Sequence, residues 1–220
     1  MDNSKEDFKI QSFDLETQNL LKTALKEPST VDLEKVSRIL VDQSLKDPLF
    51  SKEAGRICYT IVQTEATCNS NVFRRNLLNR LQVEFKAREE TRLRSVHEWV
   101  CFITFICNVF HYLKINNMPM VALVHPVYDC LDRLAQPDAL SNEEEVDCLV
   151  LQLHRIGDQL EKMNGPRMDE LFHLLRDGFL LQQGLSSMTR LLLLETLECR
   201  AGGWVLSDTA QKYYYSEVTD

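Results

Sequence analysis

The side chains best suited to chemistry in this 220-residue chain are seven cysteines and five histidines. Cys107 and His111 stand four apart, a spacing that puts both on one helix face, where an imidazole can draw the proton from a thiol. The pair lies inside an apolar run, however, where a thiol is more simply a small buried hydrophobe. His97, His111, His125, His154 and His173 provide no i,i+4 pair to chelate a metal, and no two cysteines are spaced as C-x2-C or C-x4-C. Glycine-rich phosphate loops, H-E-x-x-H and G-x-S-x-G are missing from the chain. Glu143, Glu144, Glu145 and Asp147 suggest paired carboxylates, but neighbouring helical positions point to different sides, and acids in a first turn answer the helix dipole. The expectation is no catalytic residue, no metal and no cofactor.

Charge is more informative. Residues 71–95 hold seven bases, Arg74, Arg75, Arg80, Lys86, Arg88, Arg92 and Arg94, against Glu84, Glu89 and Glu90. The segment nets +4, whereas the rest of the chain nets −12 and the whole −8. Two readings stay open. One is a dock for an acidic peptide or an RNA backbone. The other is a solvated helix face whose arginines pair with acids nearby. Six of the seven are arginine, which suits bidentate recognition. Phe85 is the one aromatic among them, so an acidic peptide fits better than single-stranded RNA, which needs successive stacking platforms. Trp204 with Tyr213, Tyr214 and Tyr215 forms a second candidate surface, for a partner or a second copy. Packing onto the last helices is the plainer alternative.

Hydrophobic residues make up 44% and charged residues 26%, as in ordinary globular proteins. Seven glycines and six prolines are about half the usual ~12% share, too few for the turns of an all-β fold or for long disordered tails. The acidic total disfavours a globally basic nucleic-acid binder. The most apolar stretch, residues 99–113, falls short of the roughly 20 residues of a membrane span, so it reads as a buried helix. The polar, acidic start predicts no secretory leader, and an odd number of thiols predicts reduced cysteines. The protein is therefore expected to be soluble and intracellular.

The elements that must position these residues are helices. Thr30 is placed to cap a helix carrying Leu33, Val36 and Leu40, and Asp47-Pro48 reads as an N-cap with proline at N1. Ser70 or Asn71 opens the helix through Phe73, Leu77 and Leu81. Gly55 is the last breaker before Met118, so length alone demands an interruption near residues 88–95. Pro119 and Pro126 bracket the start of a helix reaching Leu134. Ser141-Asn142-Glu143-Glu144 reads as a capping box before the stripe Val146, Leu149, Leu153, Ile156, Leu160. Asn164-Gly165 stops that helix and Pro166 starts the next. A helix from Leu185 closes at Ala201-Gly202-Gly203, and Ser207 or Asp208 caps a last one. Nine or ten helices with helix pairs every 40 to 47 residues predict an all-α, HEAT-like helical-repeat solenoid of about five antiparallel pairs. One domain, 1–220, with a short polar arm at 1–8, is the expected organisation.

Particular strings carry a resemblance. Phe105-Ile106-Cys107-Asn108-Val109-Phe110 resembles the central helix of the middle domain of eukaryotic translation initiation factor 4G. Residues 148–177, CLVLQLHRIGDQLEKMNGPRMDELFHLLRD, resemble that domain's later helix pair, with Ile156-Gly157 in the first helix and Met168-Asp169-Glu170-Leu171-Phe172 opening the second. KIQSFDLETQNLLKTAL (9–25), FSKEAGR (50–56), NNMPMVALVHPVYDCL (116–131) and KYYYSE (212–217) are similar to small stand-alone members of the family, so the likeness runs from about 9 to 220.

The resemblance implies a HEAT-like translation adaptor without enzymatic activity. It would join the histone messenger stem-loop-binding protein to the initiation machinery and promote translation of replication-dependent histone messages. Implied partners are the stem-loop-binding protein, initiation factor 3, factor 4G or cap-associated factors, a DEAD-box helicase and a second copy of the chain. RNA would be reached mainly through these partners, and no membrane is involved. A direct RNA-binding scaffold using residues 74–94 is the alternative. No partner-binding motif carries over residue by residue. The candidate partner sites therefore rest on charge and exposure: the seven bases above, Asn164 and Arg167 in a helix-pair loop, and the Trp204 and tyrosine surface.

Overall fold

The computed structural model describes residue 10, residues 13–115 and residues 118–216; the side chains of Ile115, Tyr215 and Ser216 and the arm at 1–8 lie outside the described residues. Among the described residues twelve α-helices follow one another: α1 Leu15–Lys26, α2 Leu33–Ser44, α3 Pro48–Thr67, α4 Val72–Lys86, α5 Arg88–Arg94, α6 Val96–Tyr112, α7 Val121–Leu134, α8 Pro137–Leu140, α9 Glu143–Met163, α10 Gly165–Leu181, α11 Ser187–Ala201 and α12 Asp208–Ser216. The only extended pairing among the described residues is two residues long, antiparallel, with Lys114 opposite Pro119 and Ile115 opposite Met118. The expected all-α, HEAT-like fold is what forms. The count exceeds the nine or ten expected because α5 and α8 are short helices in stretches that read as connectors.

The chain divides into two compact units, Met1–Met120 and Val121–Asp220. In the first, α2 packs on α4 and α3 packs on α6, so alternate helices form two layers. Two close approaches set the α3–α6 seam. His97 Nε2 lies 3.3 Å from the Lys46 carbonyl, and the Asn108 amide donates to the Ser51 carbonyl at 3.3 Å. Contacts 46–97 and 51–108 advance together, so the two helices run parallel, as equivalent helices of stacked repeats do. Gly55 makes this possible, because a Cβ there would stand 2.7 Å from the Asn108 backbone. Trp99 and every residue from Cys101 to Phe110 are buried, which accounts for the long apolar run.

The second unit repeats the logic. The α9 helix packs on α11, α7 on α10, and α10 touches both α9 and α11. Its core is Tyr128, Leu149, Leu153, Ile156, Leu160, Leu171, Leu175 and Leu193. The Tyr128 hydroxyl donates to the carbonyls of Leu160 at 3.2 Å and Asn164 at 2.6 Å, tying α7 to the end of α9. Burial pushes the Tyr128 hydroxyl pKa up, so it stays a donor. Pro126 lies inside α7, within its first two turns.

Most helix starts are where local chemistry puts them. Asp47 accepts from the Leu49 and Phe50 amides ahead of Pro48. Asn164 both ends α9 and caps α10 by accepting from the Arg167 amide at 3.2 Å. Ser207 caps α12 through the Ala210 amide. The interruption expected near 88–95 falls at Ala87 and at Ser95, whose hydroxyl caps α6 by accepting from the Glu98 amide at 3.2 Å.

Three expectations need correction. Asp32, not Thr30, caps α2, accepting from the Glu34 and Lys35 amides, while Thr30 closes a 3-10 turn by donating to the Glu27 carbonyl. The carboxylate is the stronger acceptor at a positive helix end. Asn142, not Ser141, caps α9, with the Glu144 and Glu145 amides as donors. Neither Ser70 nor Asn71 caps α4 with its side chain. That end is capped from α3: the buried Glu65 carboxylate accepts from the Phe73 amide at 2.8 Å, the Arg74 amide at 3.4 Å and the Ser70 hydroxyl at 2.9 Å.

Candidate functional site

The α4 helix gives its arginines very different surroundings. Its inward stripe of Phe73, Leu77 and Leu81 is fully or nearly fully buried, which turns the positions between them outward. Arg80 is held between Asp42 at 2.8 Å and Glu84 at 2.9 Å. Just beyond α4, Arg88 lies over the Phe85 ring at 4.2 Å and donates to the Phe85 carbonyl at 3.0 Å, with Glu89 at 4.0 Å. Arg94 pairs with Glu98 one turn on, which raises its pKa. Arg92 is half-buried. Arg75 and Lys86 are exposed, Arg74 is half-exposed, and none of the three has an ion pair among the described residues. The bases of the segment thus fall into two sets. Arg80, Arg88 and Arg94 are neutralised within the chain; Arg74, Arg75 and Lys86 offer uncompensated charge. Arg38 on α2 is likewise exposed and unpaired.

The loop residues Asn164 and Arg167 are engaged by their own unit. Asn164 caps α10 as described. Arg167 pairs with Asp129 at 3.1 Å and with Asp132, and stands 5.2 Å from the Tyr128 ring centre. Burial raises the Asp132 pKa, and the Arg167 guanidinium opposes that rise.

The aromatic surface divides too. A glycine-terminated turn ends α11: the Trp204 amide donates to Cys199 and the Gly203 amide to Arg200, with φ of +72° at Gly203 and +65° at Trp204. This unusual backbone for a bulky residue swings the indole back over α9. It packs edge-on against Phe172 at 5.6 Å, donates from Nε1 to Glu161 at 2.5 Å, and fills the space a Cβ at Gly157 would occupy. Tyr214 is buried, its hydroxyl donating to Glu198 at 2.5 Å; burial and that carboxylate push its pKa up. Tyr213 is 56% exposed and meets the Tyr214 ring edge-on. Trp204 and Tyr214 therefore pack the last helix onto the unit, and Tyr213 is left facing outward. The side chain of Tyr215 lies outside the described residues.

Cys107 and His111 are the pair that the sequence spacing offers for nucleophilic chemistry. Cys107 is fully buried, and His111 packs edge-on against Tyr112. The structure assembles a different trio, which sequence spacing does not announce because its members come from α9 and α11. Cys199 Sγ lies 3.6 Å from His154 Nδ1, and His154 Nε2 lies 3.8 Å from Glu195. The order resembles that of a cysteine hydrolase, but the electrostatics run the wrong way. Burial and the Glu195 carboxylate raise the Cys199 pKa, so the thiol stays protonated at neutral pH and is a poor nucleophile. Among the described residues, no three His, Cys, Asp or Glu side chains are placed to hold a metal ion. No helix of the described residues is long and apolar enough to cross a membrane.

The described surface is thus helical, with a few uncompensated cations. Residues 5–201 match the MIF4G domain model, across the boundary between the two units. Over 218 residues the chain is 82% identical to MIF4G domain-containing protein B of Danio rerio, covering 99% of this chain and 98% of that one. Over the same length it is 68% identical to MIF4G domain-containing protein of Homo sapiens and 66% to that of Mus musculus, each with 98% of the relative covered. MIF4G domains typically serve as non-enzymatic scaffolds, and the match points to a translation-related adaptor role. On a match spanning most of its length, the chain belongs to the MIF4G domain family.

Proposed function

We propose that this protein is a non-enzymatic translation adaptor that links the histone messenger stem-loop-binding protein to initiation factors and promotes translation of replication-dependent histone messages. The observation that carries this reading is the MIF4G match over residues 5–201, which leaves little of the chain for any other activity. The unpaired Arg74, Arg75 and Lys86 support it, since a scaffold works by presenting charge that its own acids do not consume. Initiation factor 3, factor 4G or cap-associated factors, a DEAD-box helicase and a second copy of the chain complete the proposed set of partners, in cytoplasm and nucleus. RNA is reached through those proteins.

The test is binding of a fluorescent histone 3′ stem-loop RNA, with and without stem-loop-binding protein, at two salt concentrations. Binding that requires the protein, with no salt dependence beyond its own, is the expected result. Binding to RNA alone, with a salt slope of about −0.7 per single-strand phosphate neutralised, would replace the adaptor with a direct RNA scaffold. Binding in neither arm would remove this partner.

A further inference from the structure

The heads of α2 and α4 flank a cavity of about 510 Å³ that is open to solvent and lined by Val31, Leu33, Val72 and Arg75 among others. Its floor is apolar: Leu33 and Pro28 are buried, Val31 is half-buried and Val72 is 38% exposed. Two opposite charges stand on its rim, Arg75 on α4 and Glu34 on α2. Both are exposed, and neither has an ion pair with the other or with any described residue. The third rim charge, Asp32, is already spent on the amides that open α2. Asn76 adds a hydrogen-bonding amide to the lining, whereas the Ser70 hydroxyl is already donated to Glu65.

The groove continues from this cavity. The Asp42–Arg80 bridge joins the same two helices further along, so they run side by side in one direction. Arg38 lies on α2 between Glu34 and Asp42, one turn past Glu34, again exposed and unpaired. A ligand seated over Val31 and Val72 therefore meets uncompensated positive charge at Arg75 on the α4 rim, while Arg38 stands beyond the cavity, one turn past Glu34 on the α2 rim. It meets a single uncompensated carboxylate, Glu34, on the opposite rim.

We infer that this groove binds a short extended peptide whose apolar side chain enters the cavity, with a carboxylate beside it on the Arg75 side and a cationic or donor group towards Glu34. The apolar anchor supplies desolvated contact, the Arg75 fork takes the carboxylate in bidentate fashion, and the asymmetric rim fixes the direction of the chain. A nucleic-acid strand fits poorly: no aromatic side chain lines the cavity for stacking, and Asp32 and Glu34 repel phosphates. This assignment rests on the adaptor reading and names the ligand class of its basic face.

The experiment pans a random dodecapeptide display library on the full chain. Affinities of the enriched peptides are then measured by fluorescence anisotropy against wild type, Arg75→Glu and Val72→Asp, each checked for native helicity. The expected consensus places an acidic residue next to an apolar one. Arg75→Glu should weaken binding at least tenfold, and exchanging the peptide's acid for lysine should restore it on that variant. A consensus without acid, unchanged affinity on both variants, no enrichment, or competition by a 20-mer oligouridylate that depends on Arg75 would each overturn the assignment. Capture of stem-loop-binding protein by the same variants separates this claim from the adaptor reading. If the variants retain that protein, the groove is wrong and the adaptor stands; if acidic peptides bind while wild type never captures it, the groove stands and the adaptor falls.

Discussion

The Glu65 carboxylate and the Phe73 amide are 2.8 Å apart, which makes the last turn of α3 the cap of α4. Asn69, at φ +53°, folds the chain back, and the Ser70 amide donates to the Glu65 carbonyl at 3.3 Å. One buried residue thus closes one helix with its backbone and opens the next with its side chain. Glu65→Ala leaves these donors without an acceptor, and stability should fall by about 2 kcal/mol or more. Urea unfolding followed by circular dichroism measures it, and a loss below about 0.5 kcal/mol would show that the contact contributes little.

Gly157 and Trp204 are a matched pair. Gly157→Ala puts a methyl group where the indole lies, so the ring must leave, and the cost should be about 1–3 kcal/mol. In Trp204→Ala the same glycine substitution should be nearly neutral. A double-mutant cycle showing additive effects would refute the coupling.

Asp14 caps α1 through the Thr17 amide at 2.9 Å and hydroxyl at 2.8 Å, which hold its pKa below the ordinary 3.8. The folded pKa lies under the unfolded one, so the cap contributes fully above pH 3.8 and loses its contribution as pH falls through the folded value. NMR titration of the Asp14 carboxyl carbon should show the low midpoint. Asp14→Ser keeps an acceptor and should remove this part of the acid sensitivity; a midpoint at or above the ordinary value would count against the cap.

Reversing Arg74 and Arg75 to glutamate removes no ion pair among the described residues. Stability should change by no more than about 0.5 kcal/mol, while association with an acidic partner slows and weakens. Stopped-flow association at two salt concentrations tests this, and unchanged rates for every candidate partner would take the patch out of the mechanism.

The sequence made the helices legible because helix signals are local. Asp47 before Pro48, Asn164 before Gly165 and the glycines after Ala201 act within a few residues of where they stand. Glu65 was not legible, since nothing marks an acid inside an amphipathic helix as the cap of the following one. The charged segment at 71–95 showed its excess, but not which arginines were spare. That depends on Asp42 reaching Arg80 from 38 residues away. Cys199, His154 and Glu195 were invisible as a group for the same reason, and only the burial of Cys199 beside the Glu195 carboxylate tells that its thiol is not activated.

The cysteines have a consequence for kinetics. Six are buried, three in each compact unit: Cys58, Cys101 and Cys107 in the first, Cys130, Cys148 and Cys199 in the second. Only Cys68, at the end of α3, is exposed. A thiol reagent should therefore label one site at once and wait for a local or global opening before reaching the others. Mass-resolved labelling would then time the opening of each unit separately, with no probe added to the chain.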